Sequence, residues 1–250
     1  FLADERGRGL APSTLELRRA AITYLHRLAG CAVPTADAAI GETMTGIRRT
    51  AAKNGFTPRR KAAATRDILA TIINAIDLSK LSGMRDRALL LMGFYGAFRR
   101  SELASIEIHH VALVSKGLLV TLPHSKGDRQ GKGVEVALPY TQDQYCPVKA
   151  YGAWLAASGI QAGPIFRRVR KESTTTSHGD GRKIGQSPLT DRSIARIIQN
   201  RASAAGFDGQ TFGGHSLKRG ALTTGMDAGA HPVKLKRLAR HATYAALGDY

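Results

Sequence analysis

GGHSLKRGALTTGMDAGAHPVKLKRLARHATYAALGDY, residues 213–250, decides how the rest of the chain is read. It sets His215 and His241 beside Lys218 and Arg219, and it ends on a phenol, Tyr250. Upstream, AFRRSELASI at residues 97–106 adds Arg99, Arg100 and Glu102. No metal-binding carboxylate motif accompanies them. A phosphodiester is an anion at neutral pH, and attack on it builds more negative charge on its nonbridging oxygens. A site that cleaves one must therefore supply fixed cations or a metal. Guanidinium suits the task best, because its planar fork can grip two oxygens. A tyrosine hydroxyl, with a pKa of about 10, attacks only with a base or a strong positive field beside it. Cations, imidazoles and one terminal phenol fit that chemistry.

Composition agrees. Lys and Arg number 37 against 19 Asp and Glu, a formal net charge of +18, and so basic a globular chain usually meets a polyanion. The basic residues are spread along the chain and form no single amphipathic stripe, which favours nucleic acid over a membrane surface. A hydrophobic content of 43% supports a real core. Cys31 and Cys146 make no disulfide framework and read as free thiols in a reducing compartment. No apolar run reaches the roughly 18 residues of a membrane span. The opening FLADERGRGLAPST carries no signal-peptide pattern and reads as the middle of a domain, so the native protein is expected to begin upstream.

Periodicity predicts a mainly helical protein with a small antiparallel sheet. A first helix, capped by Ser13 or Thr14, runs through Leu15, Leu17, Ile22, Leu25 and Leu28 to Gly30, and a second spans about 36–53. Pro58, Arg59, Arg60 and Lys61 lie in a basic linker, residues 57–64, between a helical segment 1–56 and a second segment 65–250. Helices are expected near 65–76 and 84–97. The β-branched runs 106–114, 117–122 and 133–138 read as strands, and the basic loop HSKGDRQGKG lies between the last two. Helix returns after Cys146. Residues 171–187 read as a polar surface loop, and helices follow near 191–204, 216–227, 232–238 and 243–250.

Arg99 falls between a buried-looking helix and the expected start of another, where a long side chain can point into a cleft; Glu102, three residues on, can orient a neighbouring cation. Taken alone, an Arg–Arg pair at a helix end is usually solvated surface. His215 precedes a helix, and Lys218 and Arg219 at i+3 and i+4 can share its face. His241 and Tyr250 are nine residues apart, which sets them on opposite faces of one continuous helix. They converge only if the chain bends, and Gly248 permits a bend. Tyr244 is a rival phenol with a short spacing from His241.

These pieces resemble the tyrosine recombinases, or phage-type integrases, which share a catalytic domain with type IB topoisomerases. AFRRSEL is similar to the family's first arginine box, with Arg99 as the phosphate-binding arginine and Glu102 as its acidic companion. GGHSLKRG is similar to the second box and supplies His215. RHATYAALGDY is similar to the third, with His241 preceding the nucleophile Tyr250 by the customary nine positions. The hairpin loop is where the family keeps a catalytic lysine, and Lys126 matches that place, with Lys132 the alternative. PSTLELRRAAITYLHR is similar to a helix of the family's core-binding domain. One departure stands out. The family's second arginine sits three residues after the histidine, and here that residue is Lys218. Either Lys218 takes the role as a point charge, or Arg219 swings in from the next position, or the site is impaired; Lys218 is the expected occupant.

The resemblance implies a two-domain, C-shaped DNA clamp. Residues 1–56 would be a helical, SAM-like core-binding domain cut short at its N-terminus, 57–64 a basic linker, and 65–250 a catalytic domain that stops at its nucleophile. Tyr250 would form a 3′-phosphotyrosyl bond while Lys126 protonates the departing 5′ oxygen. Arg99, His241 and Lys218 or Arg219 would neutralise the phosphate, and His215 would assist proton transfer. Arg18, Arg19, Arg59, Arg60, Lys61 and Arg100 are the expected DNA contacts. The implied partner is a double-stranded recombination site bound by a homotetramer across two sites, with no cofactor, metal, membrane or small-molecule ligand, in the cytoplasm at a bacterial or phage nucleoid. Two rivals stay open: a non-cleaving DNA-binding protein of the same fold, and a relaxing topoisomerase.

Overall fold

The computed structural model describes residues 1–57, 61–123, 133–170, 184–241 and 243–248. The chain divides into two compact units, Phe1–Arg59 and Arg60–Tyr250.

The first unit is helical. A short helix that the sequence did not announce, α1 (Leu2–Gly7), precedes α2 (Pro12–Leu28) and α3 (Ala38–Lys53). The expected Ser13 or Thr14 cap is not used: α2 starts on Pro12, whose fixed φ and missing N–H suit the first helical position. Asp37 caps α3 by accepting from the Ala39 amide at 2.8 Å. Leu2, Leu15, Met44 and Ile47 form the core, with Leu10 and Ile40 packed on it. Leu17, Leu25 and Leu28 of the anticipated apolar face stay exposed.

In the second unit, α4 (Arg66–Asn74) leads into α5 (Leu81–Tyr95), whose residues from Ala88 to Phe94 are buried on every side. A helix with no polar face belongs at the centre of a core. Around it pack α7 (Pro147–Ser158) and α9 (Ser216–Asp227). The approach to α9 depends on Gly93, where a Cβ would stand 2.6 Å from Leu217 Cδ1 and 3.1 Å from Leu103 Cδ1. On the other flank of α9, a Cβ at Gly220 would stand 1.8 Å from the Ala64 carbonyl oxygen. That close approach lets the Ala64 amide bond the Ser216 carbonyl at 2.9 Å and fixes the start of α9. Buried Asp86 of α5 accepts from Arg85 at 2.6 and 2.8 Å and from Arg201 at 2.7 and 2.8 Å, which ties in α8 (Asp191–Ala204).

The antiparallel sheet runs β1 (Val111–Val114), β2 (Gly117–Leu122), β3 (Val134–Pro139), in register Val111↔Val120 and Leu122↔Val134. Leu118, Val120, Leu122, Val136 and Leu138 face the core at the period of two that strands impose. The first strand is shorter than expected. Ile106 and Ile108 bond instead to Ile165 and Gly163, at 3.0 Å each, and Ile108–His110 turn as a 3₁₀ helix. A second hairpin, β4 (Arg167–Val169) with β5 (Ile184–Pro188), takes up the end of the segment expected to be loop. After α10 (Pro232–Ala239) the expected helix 243–250 is replaced by a single 3₁₀ turn, Ala245–Leu247. Buried Leu247 fixes that turn against Leu222, Leu235 and Ala239.

Candidate active site

The turn from α5 into α6 (Arg100–Ser105) sets the first cation. Ala97, fully buried, takes φ +43°, a conformation that costs a residue with a side chain about 1 kcal/mol. Gly96 must lack a side chain because a Cβ there would strike the Phe98 ring at 2.3 Å. The turn leaves Arg99 as the N-cap of α6. Its amide donates to Glu102 Oε2 at 2.7 Å and its Nη1 donates to Glu102 Oε1 at 2.6 Å. Glu102 orients Arg99, as its spacing suggested.

A second guanidinium reaches the same carboxylate. Arg240 closes α10 in the left-handed region, φ +54° and ψ +45°. Its Nη2 donates to Glu102 Oε2 at 2.7 Å and to the Ala97 carbonyl at 2.6 Å. Its Nη1 donates to the carbonyls of Gly96 at 3.0 Å and Leu238 at 2.8 Å. The guanidinium lies 5.3 Å from the centroid of the Phe98 ring, and the side chain is 3% exposed. Burial opposes the charge on Glu102, but Arg240 and the Arg99 amide and side chain outweigh it and hold the carboxyl pKa below its ordinary value.

Sequence reasoning quoted the stretch that begins with Arg240 and gave the residue no role. The signal was thin. Arg240 is one arginine in a basic tail, and what distinguishes it is an αL backbone that favours glycine.

Lys218 and Arg219, neighbours in sequence, part company. Lys218 falls in the buried stripe of α9 with Leu217, Ala221 and Leu222, and it is 3% exposed. Its ammonium donates to the Ala239 carbonyl, one residue before Arg240. Burial, then Arg99 and Arg240, push its pKa from 10.5 down to about 7, against the pull of Glu102. Arg219 turns outward and donates to the Lys61 carbonyl at 2.6 Å. The amine enters the cluster and the neighbouring fork does not.

His241 follows Arg240 directly. Burial, then Lys218, Arg99 and Arg240, depress its pKa to about 4, so at neutral pH it is an uncharged N–H donor rather than the expected cation. The chain turns at Arg240, ahead of His241, and again through the 3₁₀ turn that ends at Gly248, where φ is an ordinary −65°. His215 is the exposed N-cap residue of α9. Its ring and the cations at i+3 and i+4 do not form one shared face: Lys218 points inward and Arg219 lies along the 61 segment.

The remaining expected residues are spread out. Arg18 pairs with Glu5, and Arg19 with Glu16 at 3.1 Å. Arg100 stands 3.4 Å from Asp191. Lys61 donates to the Gln210 carbonyl at 2.6 Å. Tyr244 is exposed, with the Lys236 ammonium 4.5 Å above its ring. Lys126, its alternative Lys132, Tyr250, Arg59 and Arg60 lie outside the described residues.

No family model matches the chain. A curated relative, an integrase/recombinase XerD homolog of Selenomonas ruminantium, is 34% identical over 242 residues, covering 95% of this chain and 67% of that protein. Among solved structures, the Tn1549 transposon integrase in complex with circular intermediate DNA superposes with a TM-score of 0.63 at 13% identity, over 100% of this chain and 78% of that one. A lambda integrase dimer bound to a core site gives 0.60 at 16% identity, over 100% of this chain and 61% of that one. Those two likenesses establish the fold, and the identity to the Selenomonas protein establishes descent. The chain belongs to the tyrosine recombinase (integrase) family, the site-specific enzymes that cleave and rejoin DNA strands.

Proposed function

We propose that this recombinase cuts one strand of a duplex recombination site with Tyr250, and that Arg99, Lys218 and His241 hold the scissile phosphate. The observation that carries the reading is the convergence of Arg99 and Glu102, Lys218, and Arg240 and His241 from three separate stretches of chain onto one largely buried spot. The Tyr250 oxygen attacks phosphorus, the bond to the 5′ oxygen breaks, and a 3′-phosphotyrosyl bond forms. His215 takes the phenolic proton, and Lys126 gives a proton to the departing 5′ oxygen. A 5′ hydroxyl from a partner strand reverses the step. The covalent bond conserves the phosphodiester energy, so the exchange is balanced without a nucleotide.

The cations suit this sequence of events. Without DNA, the Lys218 pKa is depressed to about 7 and that of His241 to about 4. An arriving phosphate favours the charged form of each and draws protons onto the site. Residues 1–56 and 65–250, joined by 57–64, both contact the duplex. Arg18, Arg19, Arg59, Arg60, Lys61 and Arg100 meet phosphates, each contact adding about 0.9 to the log–log salt slope. Four copies assemble on two sites, at the DNA of a bacterial or phage-infected cytoplasm.

The test is a nicked suicide duplex carrying the recombination site. A covalent protein–DNA adduct from the wild type is the expected result. DNA binding without an adduct would overturn the proposal in favour of a non-cleaving relative. An adduct that persists in Tyr250→Phe would move the nucleophile to Tyr244.

A further inference from the structure

Arg240 has no part in the scheme above, although four hydrogen bonds hold it within the site. Its two terminal nitrogens carry four protons, and all four are donated to protein: Gly96, Leu238 and Ala97 carbonyls and Glu102 Oε2, at 2.6 to 3.0 Å. With its terminal nitrogens so occupied and its Nε buried, this guanidinium is not a phosphate ligand. Among the described residues, Ala97 and Arg240 are the only non-glycines at positive φ, and one hydrogen bond joins them. Strain of this kind persists where the surroundings over-determine it, and it gathers at functional sites. Glu102 in turn spends Oε1 on the Arg99 fork and Oε2 on the Arg99 amide and Arg240.

We propose that Arg240 is a positioning residue for strand cleavage: it locks the Gly96–Ala97 turn and the Glu102 carboxylate, which together aim Arg99 at the phosphate, and it sets a second positive charge beside Lys218. The inference rests on the recombinase reading. Its electrostatic part is independent of DNA. The Lys218 amine is faced by Arg99 and Glu102 from the N-terminus of α6, and by the Ala239 carbonyl, Arg240 and His241 from the end of α10. Removing Arg240 takes away a like charge and admits water. Both changes favour the ammonium.

The test compares wild type, Arg240→Gly and Arg240→Lys. Glycine suits the αL backbone and removes the guanidinium; lysine keeps the charge and loses the fork. Three quantities are read: duplex affinity, adduct rate on the nicked substrate against pH, and the Lys218 titration midpoint from its ¹³Cε shift in DNA-free protein. For Arg240→Gly, affinity stays near wild type while the adduct rate falls about 100-fold, the scale of a misaimed catalytic group. Its Lys218 midpoint rises by about one unit, and the alkaline limb of the rate profile moves up with it. For Arg240→Lys, the midpoint stays near wild type while the rate still falls. A general loss of folding would move neither the midpoint nor the pH limb in this pattern. Wild-type rate in Arg240→Gly overturns the proposal. Should the glycine variant not fold, Arg240→Lys decides, and a wild-type rate there overturns it equally. A wild type that forms no adduct strikes at the recombinase reading instead; the DNA-free titration then decides alone, and a midpoint unmoved by Arg240→Gly overturns the inference.

Discussion

The two units use the same residue types in opposite ways. In Phe1–Arg59, Arg19 and Arg48 pair with Glu16 on helix surfaces. In Arg60–Tyr250, Arg99 and Arg240 share Glu102 under cover, and Lys218 is buried beside them. Exposed pairs contribute about 0–1 kcal/mol and exchange readily, so a surface arginine can leave its carboxylate for a DNA phosphate. Buried pairs cannot trade partners, because a lone charge there costs several kcal/mol. The first arrangement suits a surface that must accept many phosphates along a duplex. The second suits a site that must present one phosphate in one geometry.

The contrast can be broken at several points, and the largest effect belongs to the proposed nucleophile. Tyr250→Phe should abolish the covalent adduct and leave duplex binding intact, as read by denaturing gel and by filter binding on the same samples. Loss of both together would erase the division between holding and cutting. Next, Glu102→Ala strands Arg240 in the interior, and it should cost about 3–5 kcal/mol of stability. Calorimetry should register that as a melting temperature lower by roughly 10 °C; an unchanged melt would mean the shared carboxylate holds nothing.

The titration of His241 should be smaller and has a definite sign. Its folded pKa, about 4, lies below its ordinary 6.5, so between those values the unfolded chain binds more protons. Stability should therefore fall as pH drops from 6.5 towards 4, by on the order of 2 kcal/mol after screening. His241→Gln should flatten that part of a denaturant-measured pH series; an equally steep series would clear His241. Smallest of all, Arg18→Ala and Arg19→Ala should each lower the salt slope of duplex binding by about 0.9, a deficit that higher DNA concentration recovers. A cleavage defect that saturating DNA leaves untouched would blur the comparison itself.

Much of the fold was legible because local chemistry and tertiary packing agree. The helix-to-strand change of period located β2 and β3, and the caps and breaks around His215 and Arg99 located α9 and α6. The misses came where distant chain decides. Ile106 and Ile108 look like strand residues, but their partners are Gly163 and Ile165, more than fifty positions away. The β4–β5 pairing spans the polar stretch 171–183, which has no strand pattern of its own. At the site, the choice between Lys218 and Arg219 was readable in principle. Lys218 keeps the i, i+3, i+4 spacing with Ala221 and Leu222, whereas Arg219 falls off that stripe. Arg240 was not readable, since its role depends on a backbone angle and on a carboxylate 138 residues earlier.

That long-range bond has a further consequence. Residue 240 stands ten positions before Tyr250, on the segment that Leu247 pins to α9 and α10. Glu102 thus works as a latch between Arg99 and the segment that runs on from α10. If that segment shifts, Arg240 moves with it, and the carboxylate that holds Arg99 loses its second guanidinium.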